Sequence, residues 1–164
     1  MLPVRLPASI ALAAATLLAA CASTPPLPVV AGSPPPLAIA ADVDAYLERG
    51  ATWGGMIVET RNYERHSEIE VLAFPLDRRL QPDPRAADLG RFVLLRAGFL
   101  DPQVYAPGRF LTATGRISGD RRGQLRTAPY VWPELDADAL HLWPRDFRHP
   151  RTRFSVSIGI GVFR

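Results

Sequence analysis

The side chains of this 164-residue sequence that could do covalent, acid–base or metal chemistry are few: Cys21, the pair Glu68 and Glu70, the three histidines and some isolated serines. Cys21 is the only cysteine, so an internal disulfide is excluded, and the dispersed histidines give it no zinc-ligand pattern. Glu68 and Glu70 share one face of a predicted strand. Two carboxylates so spaced can do general acid and base work if burial splits their pKa values. Their alternation with Ile69 and Val71 instead favours a solvent-facing row of glutamates over an apolar inner row. His66 sits in a predicted turn and His141 between two leucines, neither with a carboxylate or thiol at ligand spacing. Ser118 and Ser155 lack a nucleophile-elbow context. Neither an enzyme nor a bound cofactor or metal is expected.

The element that positions Cys21 is a leader. Residues 1–20 carry one positive charge, Arg5, then an apolar run from Ile10 to Leu18 and two alanines, which is the layout of a cleaved signal peptide. The run is shorter than the ~20 apolar residues of a membrane-spanning helix. Leu18-Ala19-Ala20-Cys21 resembles the bacterial lipobox, and that resemblance implies covalent lipid on Cys21: an S-diacylglyceryl group on the sulfur and an N-acyl group on the amine exposed by cleavage. Several acyl chains, at about 0.8 kcal/mol per buried CH₂, hold a protein on a bilayer where one does not. Ala22 stands where an aspartate retains lipoproteins at the inner membrane, so the same resemblance implies sorting to the outer membrane. The domain is then expected to face the periplasm, with the outer-membrane bilayer as its first partner.

After the cysteine, residues 21–41 hold six prolines, small residues and no charge. Proline favours extended chain without internal hydrogen bonds, so a semi-rigid tether is expected there. A short helix should follow, with Asp42 as its N-cap, Val43, Tyr46 and Leu47 on one face and Gly50 as its stop.

Beyond Gly50 the period changes from helical to strand-like. Thr52–Tyr63 and Ser67–Leu76 read as a hairpin, with Gly54-Gly55 marking a bulge or bend. Gly90–Gly98 is a third strand and Arg109–Gly119 a fourth, in which Leu111, Ala113 and Ile117 share one face. Residues 130–135 and 139–144 read as a last hairpin or a bent strand pair, turning across Asp136–Asp138. Five or six short antiparallel strands with a glycine-bent first strand predict a mainly β fold over residues 42–148, a small curved OB-like barrel with a short N-terminal helix. Residues 149–164 are expected to form a C-terminal strand or tail, since Phe154, Val156, Ile158, Ile160 and Val162 alternate with small residues.

Charge narrows the partners. All 19 basic residues are arginine, 16 acidic residues are scattered among them, and the net charge is only +3, which is too mixed for a nucleic-acid footprint. The aromatics Trp53, Tyr105, Tyr130, Trp132 and Trp143, interleaved with Arg109, Arg116 and Arg126, give two readings. They form a stacking and cationic surface for an envelope glycan or lipid, centred on Trp53, Trp132 and Arg116, or the tryptophans fill the barrel interior and the arginines are solvated. The second is favoured.

Taken together, the lipobox, Trp53–Ile57 "WGGMI", Glu68–Asp77 "EIEVLAFPLD", Gly90–Tyr105 "GRFVLLRAGFLDPQVY", Leu111–Gly119 "LTATGRISG", "PYVWPEL" and the "HLWP" ending at Pro144 resemble the Slp family of Gram-negative outer-membrane lipoproteins. The resemblance covers residues 45–144 in order. It implies an outer-membrane lipoprotein linked to envelope stress or maintenance, with envelope proteins or glycans as further partners. It implies no reaction.

Overall fold

A computed structural model describes residues 27–147 of the chain. The leader, Cys21 with its expected lipid, the first residues of the tether and the 149–164 tail lie outside the described residues. Five strands form one closed barrel: β1 (Gly50–Asn62), β2 (His66–Ala73), β3 (Arg91–Ala97), β4 (Phe110–Leu125) and β5 (Ala128–Leu142). Around the barrel the order is β1-β2-β3-β5-β4, which returns to β1. This is the strand order of an OB-type barrel, as the sequence pattern predicts.

Closure rests on β1 serving two neighbours at once. Its first half pairs with β4, Gly50 opposite Arg116 through Met56 opposite Phe110, and its second half with β2, Gly55 opposite Ala73 through Asn62 opposite Ser67. Only glycine fits where the strand crosses from one partner to the other, since a Cβ on Gly55 would lie 1.9 Å from the Leu72 carbonyl oxygen. The expected bulge is displaced: the register slips between Ile57 and Glu59 rather than at the glycine pair. Not every pairing is antiparallel. Val93–Leu95 of β3 run parallel to Glu134–Asp136 of β5, and this contact seals the barrel.

The predicted turn at Asp136–Asp138 is absent, and β5 runs through it as one bent strand. Two register slips against β4, between Thr114 and Gly115 and between Ile117 and Gly119, supply the bend. Bulges of this kind coil a strand without ending it. Both β4 and β5 then run on past the barrel wall as a two-stranded arm, in which Arg121 pairs with Trp132 and Leu125 with Ala128.

Alternation sends Ile57, Ile69, Val71, Phe92, Leu94, Leu111, Ile117 and Leu135 inward, where each is fully buried. Trp53 joins them, its ring edge-on to Phe92 at 5.1 Å.

The Pro-rich segment differs from a free tether. From Leu27 onward it lies across the barrel and supplies hydrogen bonds that an extended chain does not use internally. Thr114 Oγ1 donates to the Pro28 carbonyl (2.7 Å), Val30 N donates to Thr52 Oγ1 (2.8 Å), Thr52 N donates to Ser33 Oγ (2.9 Å) and Trp53 Nε1 donates to the Pro34 carbonyl (2.9 Å). The strap ends in a one-turn helix, α1 (Pro36–Ile39), whose Ile39 is fully buried in the barrel core. The folded domain therefore includes the described residues ahead of Asp42, from Leu27 onward. The helix expected from Asp42 shrinks to a 3-10 turn over Asp44–Tyr46. It cannot continue because Glu48 N donates to the Ile117 carbonyl and Ile117 N to the Arg49 carbonyl, which draws the chain into β1 with Glu48 at φ 61°.

Candidate functional site

Side chains that point outward from β2 and β3 do not all reach solvent, because the β4–β5 arm folds over them. Glu68, expected in a solvent-facing row, is 9% exposed. Arg121, on the arm, grips it with two hydrogen bonds, Nη1 to Oε2 at 2.7 Å and Nη2 to Oε1 at 2.8 Å, and reaches Glu134 Oε1 at 3.1 Å. Glu70 accepts from Arg91 Nη1 at 2.7 Å and from Trp132 Nε1 at 3.2 Å. His66 Nε2 lies 3.3 Å from Glu68 Oε1, its ring stacked on Tyr63. Tyr130 packs on Trp132 with centroids 4.6 Å apart, and its hydroxyl accepts from the Arg91 backbone N–H at 2.7 Å.

Together these groups line a groove of about 320 Å³ between the outer face of β2–β3 and the arm. Its polar wall is Glu68, Glu70, Arg91 and Arg121, and its apolar wall is Trp132 and Val93. The arginines that line it each face a carboxylate: Arg61 with Glu59, Arg91 with Glu70, Arg121 with Glu68 and Arg122 with Asp120. The groove is thus rich in charge but locally neutral. Arg121 holds the Glu68 carboxyl below the usual carboxylate range despite its burial, and Glu68 in turn raises the Arg121 guanidinium above its ordinary value. A carboxylate held ionised in this way does not serve as a proton donor near neutral pH. Among the described residues no group of three or more histidines or carboxylates is placed to hold a metal ion.

The three residues expected to share a ligand surface are not gathered. Trp132 lines the groove just described. Trp53 lies at the edge of the core and lines a separate, mainly apolar hollow of about 480 Å³ between the strap and the 73–89 loop, beside Val30, Phe74 and Leu80. Arg116 is exposed on β4, between Gly50 of β1 and Asp136 of β5, and lines neither. The interior reading holds for Trp53 only, since Trp132 is buried outside the barrel, on the inner face of the arm.

Trp143 packs in a second apolar cluster with Leu27, Phe74, Leu80 and Phe110, and its Nε1 donates to Thr112 Oγ1 at 3.0 Å. His141 meets the Trp143 ring edge-on, and burial lowers its pKa. Sequence reasoning missed Arg91, Arg121 and Glu134. The available signal was the alternation that continues past Gly119, which puts Arg121 on a β-arm and opposite the "YVW" strand.

The family model described as "Outer membrane lipoprotein Slp family" matches residues 18–158. The outer membrane protein Slp of Escherichia coli (strain K12) is 30% identical over 133 residues, which cover 77% of this chain and 69% of that protein. An uncharacterized protein of Haemophilus influenzae is 31% identical over 91 residues, 55% of this chain and 49% of its own. Among solved structures, a small single-stranded DNA-binding protein from Streptomyces coelicolor aligns with a TM-score of 0.38 at 16% identity, covering 58% of this chain and 94% of that one. Schizosaccharomyces pombe Pot1pC bound to single-stranded DNA aligns with a TM-score of 0.31 at 10% identity, covering 64% and 83%. Neither likeness carries a functional argument, and the barrel type rests on the strand order itself.

Proposed function

Because this chain belongs to the Slp family of outer membrane lipoproteins, we propose that it is a noncatalytic binding module in envelope maintenance. On this reading acylated Cys21 holds it on the outer membrane and its barrel faces the periplasm. Leader, lipobox and Ala22 support the anchor and its sorting. The observation that carries the binding reading is the Glu68–Arg121 pair: a buried, ionised carboxylate clamped in a walled groove is suited to recognition and unsuited to proton donation.

The ligand class that fits best is an envelope glycan. Paired carboxylates and guanidiniums offer acceptors and donors in fixed planes to vicinal hydroxyls, and Trp132 offers an apolar wall for a sugar face. A polyanion such as nucleic acid meets Glu68 and Glu70 with no uncompensated positive field, and is disfavoured.

Two measurements test the proposal. Cys21→Ala should move the protein out of the outer-membrane fraction, and its retention there would overturn the anchor. Soluble peptidoglycan fragments titrated into the protein should change tryptophan emission, and Trp132→Ala should weaken their binding at least tenfold, a loss of about 1.4 kcal/mol. Undiminished binding by that variant would remove the groove from the account, and hydrolysis of the fragments would overturn the noncatalytic reading.

A further inference from the structure

Arg109, expected to be solvated, is instead half-buried, and its charge has no carboxylate beside it. Its guanidinium is drawn between two backbone carbonyls: Nη1 donates to the Val104 carbonyl and Nη2 to the Trp143 carbonyl, both at 2.7 Å. Its Nε is buried and makes no hydrogen bond, the one such side-chain nitrogen or oxygen among the described residues. The charge that reaches it is of its own sign. Burial, and after it the positive charge of Arg145, lower the Arg109 guanidinium below its ordinary value. This contrasts with the β2–β3 groove, where each arginine faces a carboxylate.

The two arginines flank a small hollow of about 180 Å³ between the turn that enters β4 and the turn that follows β5, walled by Pro107, Phe110 and Pro144. Both turns are fixed by the backbone. Gly108 N donates to the Ile57 carbonyl (2.9 Å), Ile57 N to the Arg109 carbonyl (2.8 Å), Trp143 N to the Phe110 carbonyl (2.9 Å) and Phe147 N to the Pro144 carbonyl (3.2 Å). Arg145 is exposed, and neither it nor the adjacent Asp146 enters an ion pair among the described residues. The sequence adds to the imbalance, since residues 145–153 hold four arginines and a histidine against one aspartate. Two like charges converging on one hollow, one of them partly desolvated, cost free energy that an anion between them returns.

We propose that Arg109 and Arg145 form a binding site for a phosphate group carrying about two negative charges, either inorganic phosphate or the monoester headgroup of a lipid. Charge selects this class: two guanidiniums meet a phosphate monoester of −1.5 to −2 near neutral pH, whereas a carboxylate compensates only one of them. Donors suit it as well. The two carbonyl contacts leave one N–H on each Nη of Arg109, and Arg145 brings its whole fork, a geometry that matches phosphate oxygens. Size excludes a sugar chain, because at about 30 Å³ per water the hollow has room for roughly six waters. The site is separate from the β2–β3 groove and does not depend on the glycan reading of it.

The test melts the full-length protein in a non-ionic detergent with inorganic phosphate or with dihexanoyl phosphatidic acid, each against sodium acetate at equal ionic strength. Either probe should raise Tm by about 5 °C at ten times its dissociation constant. Arg145→Ala removes an exposed side chain, so the fold is kept, and should weaken phosphate binding at least tenfold. Arg116→Ala takes the same charge from the face of β4 and should leave binding unchanged. The probe with the lower midpoint names the source, lipid headgroup or free phosphate, and both results support the site. No rise beyond that in acetate with either probe overturns it. A rise that Arg145→Ala leaves undiminished, or that Arg116→Ala reduces as much, reports an adventitious ion only and overturns it too.

Discussion

Replacing Arg121 with alanine strands the Glu68 carboxylate under the β4–β5 arm with only the weaker partners His66 and Tyr63 beside it. Two charge-assisted hydrogen bonds to Glu68, each worth about 1.5–3 kcal/mol when well shielded, and a longer one to Glu134 are lost. Arg121 is 35% exposed, so solvent screening lowers the combined loss to about 2 kcal/mol, below the 3–5 typical of a fully buried pair. For a domain of about 120 residues, each kcal/mol shifts Tm by about 4 °C, which places the variant ~8 °C below the parent at pH 7. The pH dependence identifies the cause. Glu68 has a folded pKa below its unfolded value, so its contribution is fully present above the unfolded pKa of about 4.3 and is lost as pH falls through the folded one. Without Arg121, burial pushes the same carboxyl upward. The gap between parent and variant in thermal unfolding should therefore be widest near neutrality and close below about pH 4. The double variant Glu68→Met/Arg121→Met, which leaves only the more exposed Glu134 without its partner, should recover most of the loss. A gap that does not change with pH, or a double variant as unstable as the single one, would refute the assignment of this pair.

Other variants probe the barrel and its strap. Gly55→Ala and Gly115→Ala each drive a Cβ to within 1.9 Å of a backbone oxygen across the sheet, so both should lose more than about 3 kcal/mol in urea unfolding, whereas Gly98→Ala should cost about 1 kcal/mol from its positive φ alone. Ile39→Ala should cost about 2–5 kcal/mol if the strap is part of the fold, and almost nothing if residues 27–41 are a free tether. His141 has a folded pKa lowered by burial; the stability tied to this is present above the unfolded value near 6.5 and is lost as pH falls through the folded one. Its imidazole NMR titration should have a midpoint below 6.5, and a midpoint above it would contradict the packing against Trp143.

The parts of the fold that were legible are those where one face is wholly buried. Alternation in Leu111, Ala113 and Ile117, or in Ile69 and Val71, marks an inward row, and strand count with a glycine-bent β1 suffices for an OB-type barrel. The parallel β3–β5 seal was not legible, because it needs only three residues on each strand and those residues also serve other partners. Proline-rich composition announces an extended segment but not the surface on which it lies. Here the carbonyls of Pro28 and Pro34, left free by the extended chain, become acceptors for Thr114 and Trp53. The site was hidden for a related reason. Alternation places Glu68 and Glu70 outside the barrel, and outside is solvent only if nothing lies above; a β4 of 16 residues and a β5 of 15 reach past the wall and return over it. Trp53, Trp132 and Arg116 share a chemistry but not a neighbourhood, which composition alone does not separate.

The closed sheet has a consequence for life on a surface. Lipid attachment confines molecules to two dimensions at high local concentration, where an unpaired strand edge invites a neighbour to add on. The wall of this barrel offers no such edge, since each strand is flanked on both sides. Unpaired flanks remain on the arm, where Gly119–Leu125 of β4 and Ala128–Pro133 of β5 pair with each other and with no further strand among the described residues. Asp120, Arg121 and Arg122 occupy the β4 flank, and a second copy approaching it would meet a charged row instead of an apolar one. The arm that walls the groove thereby sets a row of charge against the addition of a neighbouring strand on its β4 side.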